Sequence, residues 1–229
     1  MERRIRYLGL FVLVTAVLCG AGPMARVARA DGLYLQIHGG LTTLNLDDVN
    51  DAVDAVNEAG GAAVLDHFNS GWEAGVTVGY AITRNLNLGL GYARLWTSTE
   101  YAEGSSQVKF DMPAAFYEIT LDYLPADDRR VRVGAGCDVG AVDTGATWTL
   151  NDPEADDFAL EFDGLGFLFA GYAIVDAALA DRWSLFGQGG FRHANVGEVK
   201  VDDQTIYNPD SLDDKLRFNY SGVFLRVGV

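Results

Sequence analysis

The chain has little cysteine, little proline and few bases. Cys19 and Cys137 are its two cysteines. Cys19 lies in an N-terminal apolar stretch, which leaves Cys137 alone and excludes a disulfide framework. Lys and Arg number 17 against 32 Asp and Glu, a balance that excludes nucleic acid and basic-patch docking on anionic lipid. Past the N-terminus no apolar run reaches the 18 to 20 residues of a crossing helix, and the mean hydropathy of +0.06 is too low for a helical membrane protein. Asp47, Asp48, Asn50, Asp51 and Asp54 are clustered, but the spacing and turn glycine of a calcium loop are missing. The sequence points to no metal and no cofactor.

Residues 1–30 are expected to be a cleaved signal peptide. Arg3, Arg4 and Arg6 precede an apolar core from Tyr7 to Cys19, Gly20, Gly22 and Pro23 break it, and Ala28-Arg29-Ala30 offers a cleavage site. Removing five arginines and one glutamate from a chain of formal charge −15 leaves −19. Residues 31–229 are read as one domain.

That domain is rich in glycine and aromatics, and its dominant pattern is alternation, the period of a strand with two unlike faces. The first strand is Leu33 to Gly40. A long polar segment follows, in which Val49, Ala52, Val53 and Val56 recur at helical spacing after Asp47 and Asp48; this predicts a short amphipathic helix in a surface loop. Strands at 72–82 and 86–96 form the clearest hairpin, turning at Thr83-Arg84-Asn85. A strand at 108–124, interrupted by Pro113, returns through a short turn to one starting at Val131 and ending near Val139. A loop holding Trp148 and the acidic run Asp152 to Asp157 follows. Residues 160–179 form the sixth strand, with Leu165, Phe167, Phe169, Ala173 and Val175 facing out. The seventh is 182–193, and an acidic loop, 194–215, precedes the last. In that last strand Val223, Leu225, Val227 and Val229 share one face. Such a terminal strand is an open edge unless it pairs with the first and closes a barrel.

Eight strands with alternating long and short connections make an all-β, eight-stranded antiparallel up-and-down transmembrane β-barrel, with a short helix in its first long loop. The pattern and the ending resemble the small OmpA/OmpX-type outer-membrane β-barrels. The resemblance implies a stable, largely closed barrel in the bacterial outer membrane, a monomer surrounded by outer-membrane lipids. It also implies a last strand read by the barrel-insertion machinery, although that family usually ends on an aromatic and this chain ends on Val229.

Two residue sets follow from the strand faces. Trp72 and Trp96 are expected at one membrane interface, and Tyr80, Tyr123 and Trp183 at the other. Glu73, Glu118, Asp122 and Asp138 face inward together with Arg132, Arg192 and Arg226. In a closed bore these charges must pair, because a lone buried charge costs several kcal/mol. Inward glycines (Gly75, Gly79, Gly89, Gly91, Gly134 and Gly136) make room for larger neighbours.

The leading functional expectation is a mostly closed structural or surface-interaction scaffold displaying acidic extracellular loops. The alternative is a narrow passive channel for ions or small solutes, gated by the interior pairs. A lipid-modifying barrel enzyme needs a nucleophile and base on the outer face near the top. His193 lies there, but no serine stands beside it in Arg192-His193-Ala194-Asn195, and the chain is read as not an enzyme. A soluble periplasmic lipocalin-like barrel requires a polar outer face, against which Val76, Val78, Leu86, Leu88, Leu90, Ile119 and Leu121 argue.

Overall fold

A computed structural model describes residues 32–60, 65–103, 106–125, 130–151, 158–180, 183–201, 204–208 and 211–229. The expected signal peptide, the turns at 126–129 and 181–182 and the acidic run Asp152 to Asp157 lie outside the described residues.

Eight strands pair in a closed antiparallel ring: β1 (Leu33–Thr43), β2 (Ser70–Ala81), β3 (Leu86–Trp96), β6 (Ala114–Tyr123), β7 (Val131–Asn151), β8 (Phe158–Ala180), β9 (Trp183–Val196) and β15 (Gly222–Gly228). The last strand closes on the first, as its alternation demanded. Gly228 stands opposite His38 and Phe224 opposite Thr42. Val229 and Ile37 exchange backbone hydrogen bonds of 2.8 and 3.0 Å, which removes the open edge.

Alternation sets the faces. Leu35, Val76, Ile119, Val133, Phe167, Leu185 and Leu225 are exposed on the outside, while their strand neighbours are turned inward. On β7 the outer face is apolar from Val131 to Val139, then turns to Asp143, Thr147 and Thr149. On β8 it is apolar from Leu179 up to Leu165, then turns to Asp163 and Glu161. The barrel thus carries an apolar belt on these strands, nine residues long on β7 and fifteen on β8, with polar strand ends rising above it.

Those strand ends differ from the sequence expectation. β7 continues to Asn151, pairing with β8 through Leu150↔Phe158, and Trp148 is part of it. The predicted loop before strand four is a hairpin, β4 (Ser98–Glu103) with β5 (Ser106–Asp111). The strand expected at 108–124 is divided between β5 and β6 at Met112-Pro113, where proline cannot continue the ladder. The acidic 194–215 segment is also largely strand: β9 runs on to Val196, and β10 (Val199–Val201), β11 (Gln204–Thr205), β12 (Tyr207–Asn208) and β13 (Ser211–Lys215) follow, with β14 (Phe218–Asn219) leading into β15. Above the belt the outer face meets water, so the alternation of apolar and polar residues that marks a membrane strand fades there. In this region Thr205 Oγ1 donates to Glu198 at 2.6 Å and Lys215 lies 3.4 Å away. The hydroxyl, and then the ammonium, hold the Glu198 carboxyl below its ordinary range.

The predicted helix is present as α1 (Asp47–Gly60), with Asp47 and Asp48 in its first turn, where carboxylates oppose the positive end of the dipole. It covers the barrel's mouth rather than lying free on the surface. Val49 and Val53 are buried in an apolar cluster with Leu46, Phe68, Leu95, Phe116, Phe162 and Phe218. Two asparagines strap the returning chain to the helix. Asn50 Oδ1 accepts the Phe68 N–H at 2.8 Å, and Asn57 exchanges hydrogen bonds with the backbone of Leu65. Apolar inward residues of the rising strands, Val142 and Ala146 among them, complete this plug.

Candidate functional site

Below the plug the interior changes from apolar to charged. Five strands each project one long charged side chain to the same level: Glu73 from β2, Glu118 from β6, Asp138 from β7, Arg192 from β9 and Arg226 from β15. All are buried. Their inward parity follows from the outward packing of Ala74, Ile119, Val139, Phe191 and Leu225.

Arg226 is the hub. Its Nε donates to Glu73 Oε1, its Nη2 to Glu118 Oε1 at 3.1 Å, and its Nη1 reaches Asp138 Oδ2 at 3.4 Å. Arg192 donates to the other oxygen of Glu73 at 2.5 Å and to Thr42 Oγ1 at 3.3 Å. Both guanidinium groups also rest on rings. Arg192 lies 4.0 Å from the centroid of Phe116, and Arg226 lies 4.6 Å from that of Phe224. Planar, delocalised guanidinium suits this double use, bridging carboxylates edge-on and stacking face-on. A lysine offers one point charge and cannot do both.

Asp122 joins by another route. Tyr172 OH lies 2.8 Å from Asp122 Oδ1 and 3.0 Å from Asp138 Oδ1, and its ring packs edge-on to Phe224. Gly136 makes the room, since a Cβ there would collide with Asp122 and the Tyr172 ring. Gly75 and Gly79 do the same for His38 and Tyr34. Tyr172→Phe removes the bridging hydroxyl while keeping the ring. Buried acceptors left without a donor cost about 1–3 kcal/mol, so a fall of that size in the unfolding free energy of the lipid-embedded barrel is expected from urea titration.

Arg132 stands apart from this layer. It pairs with Asp176, at 2.6 and 3.1 Å, and its side chain keeps 34% of its surface exposed. It lies near the start of β7, away from the central layer. Tyr172 and Asp176 were not singled out by sequence reasoning. The signal was present, since both alternate with the outward Phe169, Ala173 and Val175 on β8.

The aromatics Trp72, Tyr80, Trp96, Tyr123 and Trp183 all project outward and exposed. Trp72 faces Trp96 across the β2–β3 ladder, and Tyr123 faces Leu86 on β3. Val223, Leu225, Val227 and Val229 are exposed on the same outer surface. His193 does have a serine partner. Ser221, 28 residues further along, is brought across the β9–β15 ladder to 3.0 Å from its Nδ1. Sequence adjacency could not reveal a partner that the sheet supplies.

The charge layer crosslinks five strands across the barrel's interior, beneath the apolar cluster under α1. No group of His, Cys, Asp and Glu suited to holding a metal is found among the described residues.

No protein-family model matches the chain, and no curated protein matches it. Among solved structures, the chain is similar to Neisserial surface protein A (NspA), with 15% sequence identity over 85% of this chain and 96% of that one, at a TM-score of 0.38.

Proposed function

We propose that this protein is a closed outer-membrane β-barrel that acts as a rigid scaffold, presenting its strand ends and the α1 region at the cell surface. The observation that carries the reading is the coincidence of two features. The outer surface is an apolar belt edged by exposed tryptophans and tyrosines, and the bore is filled twice over, by an apolar plug above and an ion-paired layer below. An exposed apolar surface this extensive is untenable in water but is what lipid requires. Asp51, Asp54, Glu58 and Asp66 are exposed around α1, so the face presented outward is acidic. The double filling disfavours a channel. A conducting path needs water through the bore, and the plug is built mainly of apolar side chains, with the Tyr220 hydroxyl already bonded to Thr144.

The partners of this reading are outer-membrane lipids and, during biogenesis, the insertion machinery that would pair β15 with β1. The membrane part is tested by refolding the protein into vesicles of brominated lipid, with Trp148→Phe removing the tryptophan above the belt. Strong quenching of Trp72, Trp96 and Trp183 emission is expected, and unquenched emission contradicts the membrane reading. Ile119→Arg places a charge on the belt between Tyr117 and Leu121. An arginine at the bilayer midplane costs about 2–4 kcal/mol, so the variant is expected to lose that much stability in lipid.

A further inference from the structure

One side-chain pair on the outer surface takes no part in the interior layer. β15 sets Gly222 opposite Arg192 on β9, and β14 sets Asn219 opposite Asn195 in the same register. Ser221 therefore stands across from His193 on the outward face. Its Oγ lies 3.0 Å from His193 Nδ1, inside the range at which a base takes a hydroxyl proton. The serine is held on every side. Its Oγ accepts the Ala194 N–H at 3.1 Å, its own N–H donates to Asn219 Oδ1 at 3.1 Å, and its carbonyl accepts the Asn45 N–H at 3.0 Å. His193 is exposed, and Ser221 keeps 5% of its surface.

The position of the pair suggests a substrate class. One step below it Phe191 faces Val223, both exposed, and Phe169 on β8 lies beside His193. One step above, Asn195 faces Asn219, and these two line a polar cleft with Asp47, Asp48 and Arg217. From below upward the surface is apolar, then Ser–His, then polar. A membrane lipid presents its acyl chain, its ester and its headgroup in that order.

We infer that Ser221 and His193 form a nucleophile and base for hydrolysing an acyl ester of a membrane lipid. Ser221 Oγ bonds to the ester carbonyl carbon as its proton passes to His193 Nδ1. The tetrahedral adduct collapses, the carbon–oxygen bond to the alcohol breaks, and His193 returns the proton to the departing alkoxide. Water then attacks the acyl-serine, giving one proton to His193, which restores the Ser221 hydroxyl as the fatty acid leaves. The sum is ester plus water to acid plus alcohol, with no change of oxidation state.

The substrate class rests on the membrane reading, whereas the reactivity of the pair does not. The full chain in detergent, its folding confirmed by a heat-dependent gel shift, is treated with a soluble fluorophosphonate reagent and the labelled peptide is identified by mass spectrometry. Label on Ser221 is expected, absent in Ser221→Ala and formed at least about 100-fold more slowly in folded His193→Ala. No label on Ser221 in the folded wild-type protein overturns the pair, and equal labelling of His193→Ala overturns the base. In mixed micelles with a diacyl phosphatidylethanolamine, fatty-acid release abolished by Ser221→Ala is expected. Labelling without release contradicts the lipid substrate while leaving the membrane reading to its own quenching test.

Discussion

Replacing Arg226 by alanine is expected to destabilise the barrel by about 3–5 kcal/mol, the cost of removing one partner from a buried ionic cluster. The substitution leaves Glu73, Glu118 and Asp138 facing one another in a closed space, with only Arg192 still bonded to Glu73. It also empties the volume beside the Phe224 ring. Urea titration of the lipid-embedded protein, read by the heat-dependent gel shift, measures the change. Arg132→Ala is the control. Its side chain is one third exposed and bonds a single carboxylate, that of the buried Asp176, so its loss is expected to cost about 1–3 kcal/mol, less than that of Arg226. Equal effects at the two arginines would contradict the separation of the central layer from the lower pair.

The second large effect is expected at the plug. Val53→Asp puts a carboxylate at a position that is 4% exposed, among apolar side chains. An unpaired charge there costs several kcal/mol, more than α1 can recover from its own hydrogen bonds. The response is expected to be local. The helix and its strap at Asn50 and Asn57 are released, while the charge layer beneath keeps the ring closed. Limited proteolysis should then cut between residues 44 and 68, with the heat-dependent gel shift of the barrel retained. Loss of the gel shift would mean that the plug and the ring form one cooperative unit.

The fold was legible because membrane strands obey a strict rule. Lipid outside and filled bore inside force alternation, and residues such as Val76, Val78, Leu88 and Leu90 display it openly. β3 is found at its expected bounds, and the outward set on β8 is as read. Above the belt water relaxes that rule, so the upper end of β7 reads as a loop in the sequence; Thr147 and Thr149 extend that strand without an apolar outer face. The inward charges were visible one strand at a time. Parity alone does not carry distance around the ring, so it groups Arg132 with Arg192 and Arg226, although Arg132 pairs with Asp176 and not with the central carboxylates. Ser221 illustrates the same limit. Its partnership with His193 exists only once β15 has docked on β9.

The central claim is that the bore is closed, and single-channel recording tests it most directly. The folded protein, confirmed by its gel shift and incorporated into a planar bilayer, is expected to give a silent baseline at all applied voltages, as the proposed closure by the plug and the Arg226 layer requires. Discrete, reproducible current steps from the folded wild-type protein, altered on neutralising Arg192 or Arg226, would contradict the account and make the charge layer a gate.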